Sequence, residues 1–285
     1  MGSPRQRLHA RRLASADRRD ALDYLLPRAA ENLVLIDFVA RLGEGALPGE
    51  SPPQIYGVFR AARLAGIVLL RPSVALSAGM DGEALEALMP FLLRVPSGLV
   101  KSDRRLVEPL WQALEATGRK ATIDRIEVAY RLAPDQLLPV AADLPGVARP
   151  ARATDLEQLV YAARASLWEE DRPDPAEGDP AGFRRWVESR LPRARVVCEG
   201  GRPVFVAYAD VRRPEGWLIQ GVYTWPEVRR RGFARRGMDS VIREAFASGA
   251  THVQLAVVQG NDRASRLYEK LGFQAFSELR TILFH

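Results

Sequence analysis

The 285-residue chain predicts an α/β protein with mixed sheets, built as two tandem units. Three observations carry that expectation. Apolar runs with the alternation of strands are interleaved along the chain with apolar stripes of helical spacing. The order of these elements over residues 20–135 resembles their order over residues 151–285. Between the halves, residues 133–151 contain Pro134, Pro139, Pro145, Gly146 and Pro150, which suits a crossing between units better than an element interior. The expected division is a basic arm at 1–19, a unit at 20–135, a linker at 136–150 and a second unit at 151–285. Both units have ordinary domain size, and 47% hydrophobic residues suffice for two cores.

The elements follow in order. Arg5–Arg19 reads as a frayed or weakly docked start, or as an arm for RNA or another acidic surface. Asn32–Leu42 is a helix with an apolar face. Ile55–Phe59 and Ala65–Leu70 form a hairpin that Val74–Ser77 extends or joins. Gly82–Val95 is a helix interrupted or ended near Pro90. Gly98–Lys101 is a short strand, Asp103–Thr117 a helix closed by Gly118, and Ala121–Leu132 a long strand. In the second half, Thr154–Leu167 and Ala181–Leu191 are helical. Arg195–Glu199, Val204–Val211 and Trp217–Thr224 are strands. A helix then places Met238, Val241, Ile242, Ala245 and Phe246 on one face. Thr251–Val258 is a β-branched strand, followed by a helix to Leu271 with Gly272 as its stop and by a final strand.

Two motifs carry chemistry. The first is Arg229-Arg230-Arg231-Gly232-Phe233-Ala234, set between a strand and an amphipathic helix. Gly232 permits close approach of the backbone to a ligand, and Ala234 keeps that approach uncrowded. The first N–H groups of a helix lack intrahelical partners and lie at its positive end, so they attract phosphate oxygens. Arginines at 229, 230, 231, 235 and 236 add positive charge. The second motif runs from Asn261 to Phe273. Asn261 or Asp262 can cap the helix, and Asn261, Ser265 and Tyr268 share one face of it. Structural roles are open to each of them: Asn261 as a cap, Tyr268 as a half-buried core aromatic, Tyr223 and Trp225 as plain strand residues.

In this order the motifs resemble the GNAT superfamily of N-acetyltransferases. The resemblance rests on Gly221-Val222-Tyr223-Thr224-Trp225-Pro226-Glu227, on Arg229-x-x-Gly232-x-Ala234, and on Asn261-x-x-Ala264-x-x-Leu267-Tyr268-x-x-Leu271-Gly272-Phe273. It covers residues 150–285, and the Gly-Val-Tyr-Thr opening is similar to the glycine N-acyltransferase-like branch. The resemblance implies that the backbone of Val222, Tyr223 and Thr224 pairs with the pantetheine of acetyl-CoA. It implies that Arg229, Arg230, Arg231, Gly232, Phe233, Ala234 and Arg235 form the pyrophosphate turn, acting through main-chain N–H groups. Asn261, with Ser265 on its face, would meet the pantetheine. Tyr268 would stand near the thioester sulfur as the general acid for the departing thiolate. A backbone N–H near Tyr223 would polarise the acetyl carbonyl.

The expected activity is therefore direct transfer of an acetyl group from acetyl-CoA to a primary amine, a small amine or amino acid, in a ternary complex. A protein or peptide acceptor and a non-catalytic acyl-CoA sensor are the alternatives. No general base stands out, because Trp217–Trp225 contains no carboxylate and Glu215 and Glu227 flank it. The segment Glu169–Pro180 carries six carboxylates and borders the acceptor site in folds of this kind, so it reads either as an attractor for a cationic amine or as a solvated loop. The N-terminal half has Ser77-Ala78-Gly79-Met80-Asp81-Gly82-Glu83 where the phosphate turn should fall. Without an arginine and with two acids, that turn is expected to leave CoA unbound. The half reads as a degenerate GNAT-like unit.

Composition sets outer bounds. A net charge of +6 permits nucleic-acid binding, but the basic residues are nearly all arginine, with lysine only at 101, 120 and 270. Genome composition produces that pattern without selection for DNA, so nucleic acid is not the expected partner. The single Cys198 lies in an apolar strand and excludes an intrachain disulfide framework. His9, His252 and His285 are scattered, and no metal is expected. No secretory or membrane-spanning pattern is read, and the expected location is cytoplasmic.

Overall fold

The chain divides into two units, Met1–Ala129 with Ser277–His285, and Tyr130–Phe276. The structure, a computed structural model, describes residues 7–44, 52–170 and 172–285.

The first unit begins with β1 (Leu8–Arg12), α1 (Arg18–Leu25) and α2 (Ala29–Ala40). The hairpin β2 (Gln54–Arg60) and β3 (Arg63–Arg71) follows, then β4 (Ala75–Leu76), α3 (Gly82–Leu92), β5 (Gly98–Asp103), α4 (Arg104–Ala116) and β6 (Ala121–Leu132). One sheet has the order β1-β2-β3-β4. Its two faces bury separate cores. Leu25, Leu35, Ile36, Ile55, Ile67 and Leu69 pack with α1 and α2, whereas Val58, Val68, Leu88, Leu92, Leu110 and Leu114 pack with α3 and α4.

One expectation for this half changes. Within the basic start, Leu8–Arg12 is not frayed but an edge strand, antiparallel to β2 from Leu8↔Arg60 to Arg12↔Tyr56. His9 stacks on Phe59 at 5.3 Å, and the Arg11 guanidinium lies 4.4 Å from that ring while bonding Asp17 at 2.8 and 2.6 Å. Long side chains thus lie along apolar surface with their charged tips outside. Residues 1–6 of the expected arm lie outside the described residues. The helix α3 ends at Leu92, two residues past Pro90, as the expected end near that proline has it.

The second unit comprises β7 (Arg149–Pro150), α5 (Leu156–Trp168), α6 (Pro180–Ser189), β8 (Ala194–Glu199), β9 (Arg202–Arg213), β10 (Gly216–Thr224), α7 (Phe233–Ala247), β11 (Val253–Val258) and α8 (Asp262–Glu269). The strand order is β11-β10-β9-β8-β7, antiparallel except for β10 with β11. Strand β9 is buried over most of its length, which explains its continuous apolar run rather than a clean alternation. Residues 136–150 group with this unit, and the Leu138 N–H donates to the Leu271 carbonyl at 3.1 Å. The last strand, β12 (Gln274–Phe284), leaves the second unit after Phe276 and pairs antiparallel with β5 from Leu279↔Asp103 to Phe284↔Gly98.

Candidate active site

Strands β10 and β11 pair only at Trp217↔Val253 and Leu218↔Gln254. Beyond those two positions β10 bulges between Gln220 and Tyr223, with Gly221 at φ +56°, while staying paired with β9 through Tyr223↔Val206 and Thr224↔Phe205. The two parallel strands therefore part in mid-sheet. The edge of β10 that faces the gap, at Val222 and Thr224, offers main-chain groups that β11 does not take up; Tyr223 stays paired with Val206 of β9, and the Thr224 carbonyl accepts from Arg229 Nε. Buried backbone groups need partners, so this edge is suited to an extended, amide-bearing ligand. Gly221 is fixed here by its left-handed φ and by the Tyr208 ring, 3.0 Å from where a Cβ would stand.

The strand leads through a tight turn, Pro226–Val228, to the start of α7. Arg230 at φ +65° and Gly232 at φ +92° both adopt the left-handed conformation. Succeeding N–H groups then converge into an anion-binding concavity. No side chain caps α7, whereas Asp81, Asp103, Asp179 and Asn261 cap α3, α4, α6 and α8. Its first N–H groups stay available, including those of Phe233, Ala234 and Arg235.

The side chains of this turn behave differently from the sequence expectation. The missing Cβ of Gly232 would point at Leu144 Cδ2, 2.8 Å away, so the glycine serves its own φ and the Leu144 contact rather than open space for a ligand. Phe233 is buried in the core, which leaves only its main chain for binding. Arg235 turns inward, donating to the carbonyls of Pro139 at 3.2 Å and Lys270 at 3.5 Å, with its Nε buried and unpartnered. Arg231 pairs with Glu199, and Arg236 with Asp239 at 3.3 Å. Arg230 is exposed and makes no ion pair among the described residues.

Asn261 caps α8, its Oδ1 accepting from the Ala264 N–H at 3.1 Å, and its side chain is exposed. Ser265 and Tyr268 lie one and two turns on. Tyr268 is only 6% exposed and meets Phe273 edge-on at 5.6 Å. Burial alone pushes its phenol well above the ordinary value of 10. It stays protonated at neutral pH.

On the α5 side of β10 lies a group whose contacts the sequence did not show. Glu169 follows the end of α5, and its Oε1 accepts from Arg229 Nη2 at 2.5 Å and from the Tyr223 hydroxyl at 3.4 Å. Arg229 Nε also donates to the Thr224 carbonyl at 2.9 Å, and the guanidinium lies 5.4 Å from the Tyr223 ring centre. Burial, then the Glu169 charge, pushes the Tyr223 phenol up to about 12. Trp225 meets Tyr223 edge-on at 5.4 Å and stacks with Tyr161 of α5 at 6.4 Å. Only the acid content of 169–180 hinted at this group. That segment is also less free than its charge implied, since Asp174 pairs with Arg164 and Asp179 caps α6; Asp171 lies outside the described residues.

Glu215, one of the flanking acids, bonds Arg213 at 3.0 Å. Cys198 accepts from Arg149 Nη2 at 3.1 Å, and His252 shares a bond with Gln254 at 2.9 Å. Among the described residues, no three His, Cys, Asp or Glu side chains gather as a metal site needs, and no helix is long and apolar enough to cross a membrane.

The chain has counterparts among known proteins. Residues 158–273 match the acetyltransferase (GNAT) family, so the second unit carries a GNAT acetyltransferase domain. The chain is 29% identical over 85 residues to L-ornithine N5-acetyltransferase NATA1 of Arabidopsis thaliana; that stretch is 30% of this chain and 37% of the relative, so the chain spans little more than a third of it. Among solved structures, a Drosophila protein superposes with a TM-score of 0.70 at 18% identity, over 96% of this chain and 98% of its own. A tandem GNAT protein from the clavulanic acid biosynthesis pathway does so with a TM-score of 0.54 at 14% identity, over 96% and 98%. The fold is that of tandem GNAT-like units.

Proposed function

We propose that the protein transfers an acetyl group from acetyl-CoA to a small primary amine. The parting of β10 from β11 at the bulge is the observation that carries this reading. An unpaired strand edge beside an uncapped helix suits a ligand with amide groups along its arm and a pyrophosphate at its end. The Val222–Thr224 edge would take the amides. The N–H groups at 232–235 would take the phosphates with Arg230 beside them. The N-terminal end of α7 and the exposed Arg230 supply positive potential without a metal ion.

In the reaction the amine nitrogen bonds to the acetyl carbon, the carbon–sulfur bond breaks, the amine gives up a proton and the thiolate gains one. Tyr268 of α8 is the residue we read as meeting the sulfur. A phenol raised above 10 does not readily surrender its proton to a thiolate whose thiol titrates near 8.5. Its contribution is therefore a hydrogen bond donated to sulfur as charge grows there, which strengthens in the transition state. The likeness to an L-ornithine acetyltransferase supports a small cationic amine over a protein acceptor. Calorimetric titration with acetyl-CoA, followed by thiol release with a panel of amines, tests the reading. Micromolar binding with amine-dependent thiol release is expected; absence of both removes it.

A further inference from the structure

We infer that Glu169 selects the positive charge of the acceptor and that Arg229 occupies its place until acceptor and cofactor arrive. The inference rests on the transferase reading above. Glu169 lies beside β10, its Oε1 3.4 Å from the hydroxyl of Tyr223, the residue that follows the bulge. Tyr223, which donates to it, meets Trp225 edge-on, and Trp225 stacks with Tyr161; Tyr161 is 52% exposed, and Trp168, next in the chain to Glu169, is 74% exposed. Exposed aromatics beside a carboxylate are the surroundings an organic cation prefers. The protein already puts a cation there, the Arg229 guanidinium, bonded to Glu169 and lying over Tyr223.

That pair exchanges easily. Glu169 is 44% exposed and Arg229 20% exposed, and an ion pair at such a surface contributes only about 0–1 kcal/mol. Arg229 belongs to the turn proposed to receive a pyrophosphate, so a dianion there offers the guanidinium a stronger partner. Glu169 is then free for the ammonium of a diamine or basic amino acid. Acceptor affinity is thereby coupled to occupation of the turn, with acetyl-CoA binding first.

The test compares diaminobutane with butylamine, which share reacting amine and chain length but differ in the distal charge. Wild type, Glu169→Gln and Arg229→Gln are assayed by thiol release at saturating acetyl-CoA, with acetyl-CoA titration as the check that each variant is folded. In Glu169→Gln the ratio of kcat/KM for diamine over monoamine should fall about tenfold, the value of one charged hydrogen bond. In Arg229→Gln, titrated with diaminobutane in the absence of acetyl-CoA, affinity should rise above that of the wild type, while the KM at saturating acetyl-CoA stays close to the wild-type value. A ratio unchanged in Glu169→Gln overturns the inference and leaves the transferase reading standing. A wild type that neither binds acetyl-CoA nor releases thiol overturns both.

Discussion

Tyr268 and Asn261 share one helix but differ in how far their roles were legible. The i, i+4, i+7 spacing places Asn261, Ser265 and Tyr268 on one face, and the same pattern made Asn261 a cap, which it is. Burial of the phenol was legible only as the half-buried core aromatic left open for Tyr268; that it is nearly complete, against Phe273, was not. If the phenol donates a hydrogen bond to the leaving sulfur, Tyr268→Phe should lower kcat by about 10²-fold with little change in acetyl-CoA affinity; unchanged turnover removes Tyr268 from the chemistry. Asp155 gives a pH-dependent test of stability. Hydrogen bonds from Arg149, at 2.8 and 3.0 Å, hold its carboxyl below the ordinary value of 3.8 against the opposing effect of burial, and the Arg152 N–H at 2.7 Å assists. A carboxyl lowered on folding stabilises the native state above its unfolded pKa, and the contribution is lost as pH falls through the folded value. Asp155→Asn should therefore cost about 1–3 kcal/mol at neutral pH, with the gap in melting temperature to wild type narrowing below about pH 4. A constant gap across that range excludes the ionised pair as its origin.

At the scale of elements, periodicity located the hairpin at β2 and β3, the strands β8 to β11 and the helices α4, α5 and α7. It did not locate β1, whose arginines look like a solvated run until Phe59 provides a surface for them. Nor did it reveal that β10 and β11 part, since register is set by the bulge at Gly221 and not by composition. The turn before α7 was legible as a motif, but the reason for its glycine was not. Gly232 holds φ +92° against Leu144, so Gly232→Ala should strain the turn by about 1–3 kcal/mol and displace the first N–H groups of α7. Acetyl-CoA affinity should fall by about tenfold or more, since 1.4 kcal/mol is a factor of ten. Calorimetry that finds an unchanged Kd would place the pyrophosphate elsewhere.

At the scale of the whole molecule, two units of like element order differ in what occupies their equivalent turns. In the first unit, side chains already hold two N–H groups of the turn after β4 and the start of α3. The Ala78 N–H donates to Asn32 Oδ1 at 2.8 Å, and the Ala84 N–H to Asp81 Oδ1 at 2.8 Å. Asp81 and Glu83 add negative charge, each bonded to Arg60 at 3.0 Å. An incoming pyrophosphate would have to displace a buried asparagine and the cap of α3 while facing two carboxylates, and both requirements oppose binding. In the second unit the corresponding helix α7 has no capping side chain and is preceded by arginines. Acetyl-CoA should therefore bind with a stoichiometry of one per chain, and Gly232→Asp, which puts a strained carboxylate into the turn of α7, should abolish all binding. A residual site in that variant, or a stoichiometry of two in the wild type, would show that the first unit retains a cofactor site despite its acids. Loss of all binding assigns the cofactor to the second unit alone and leaves the first to a structural part.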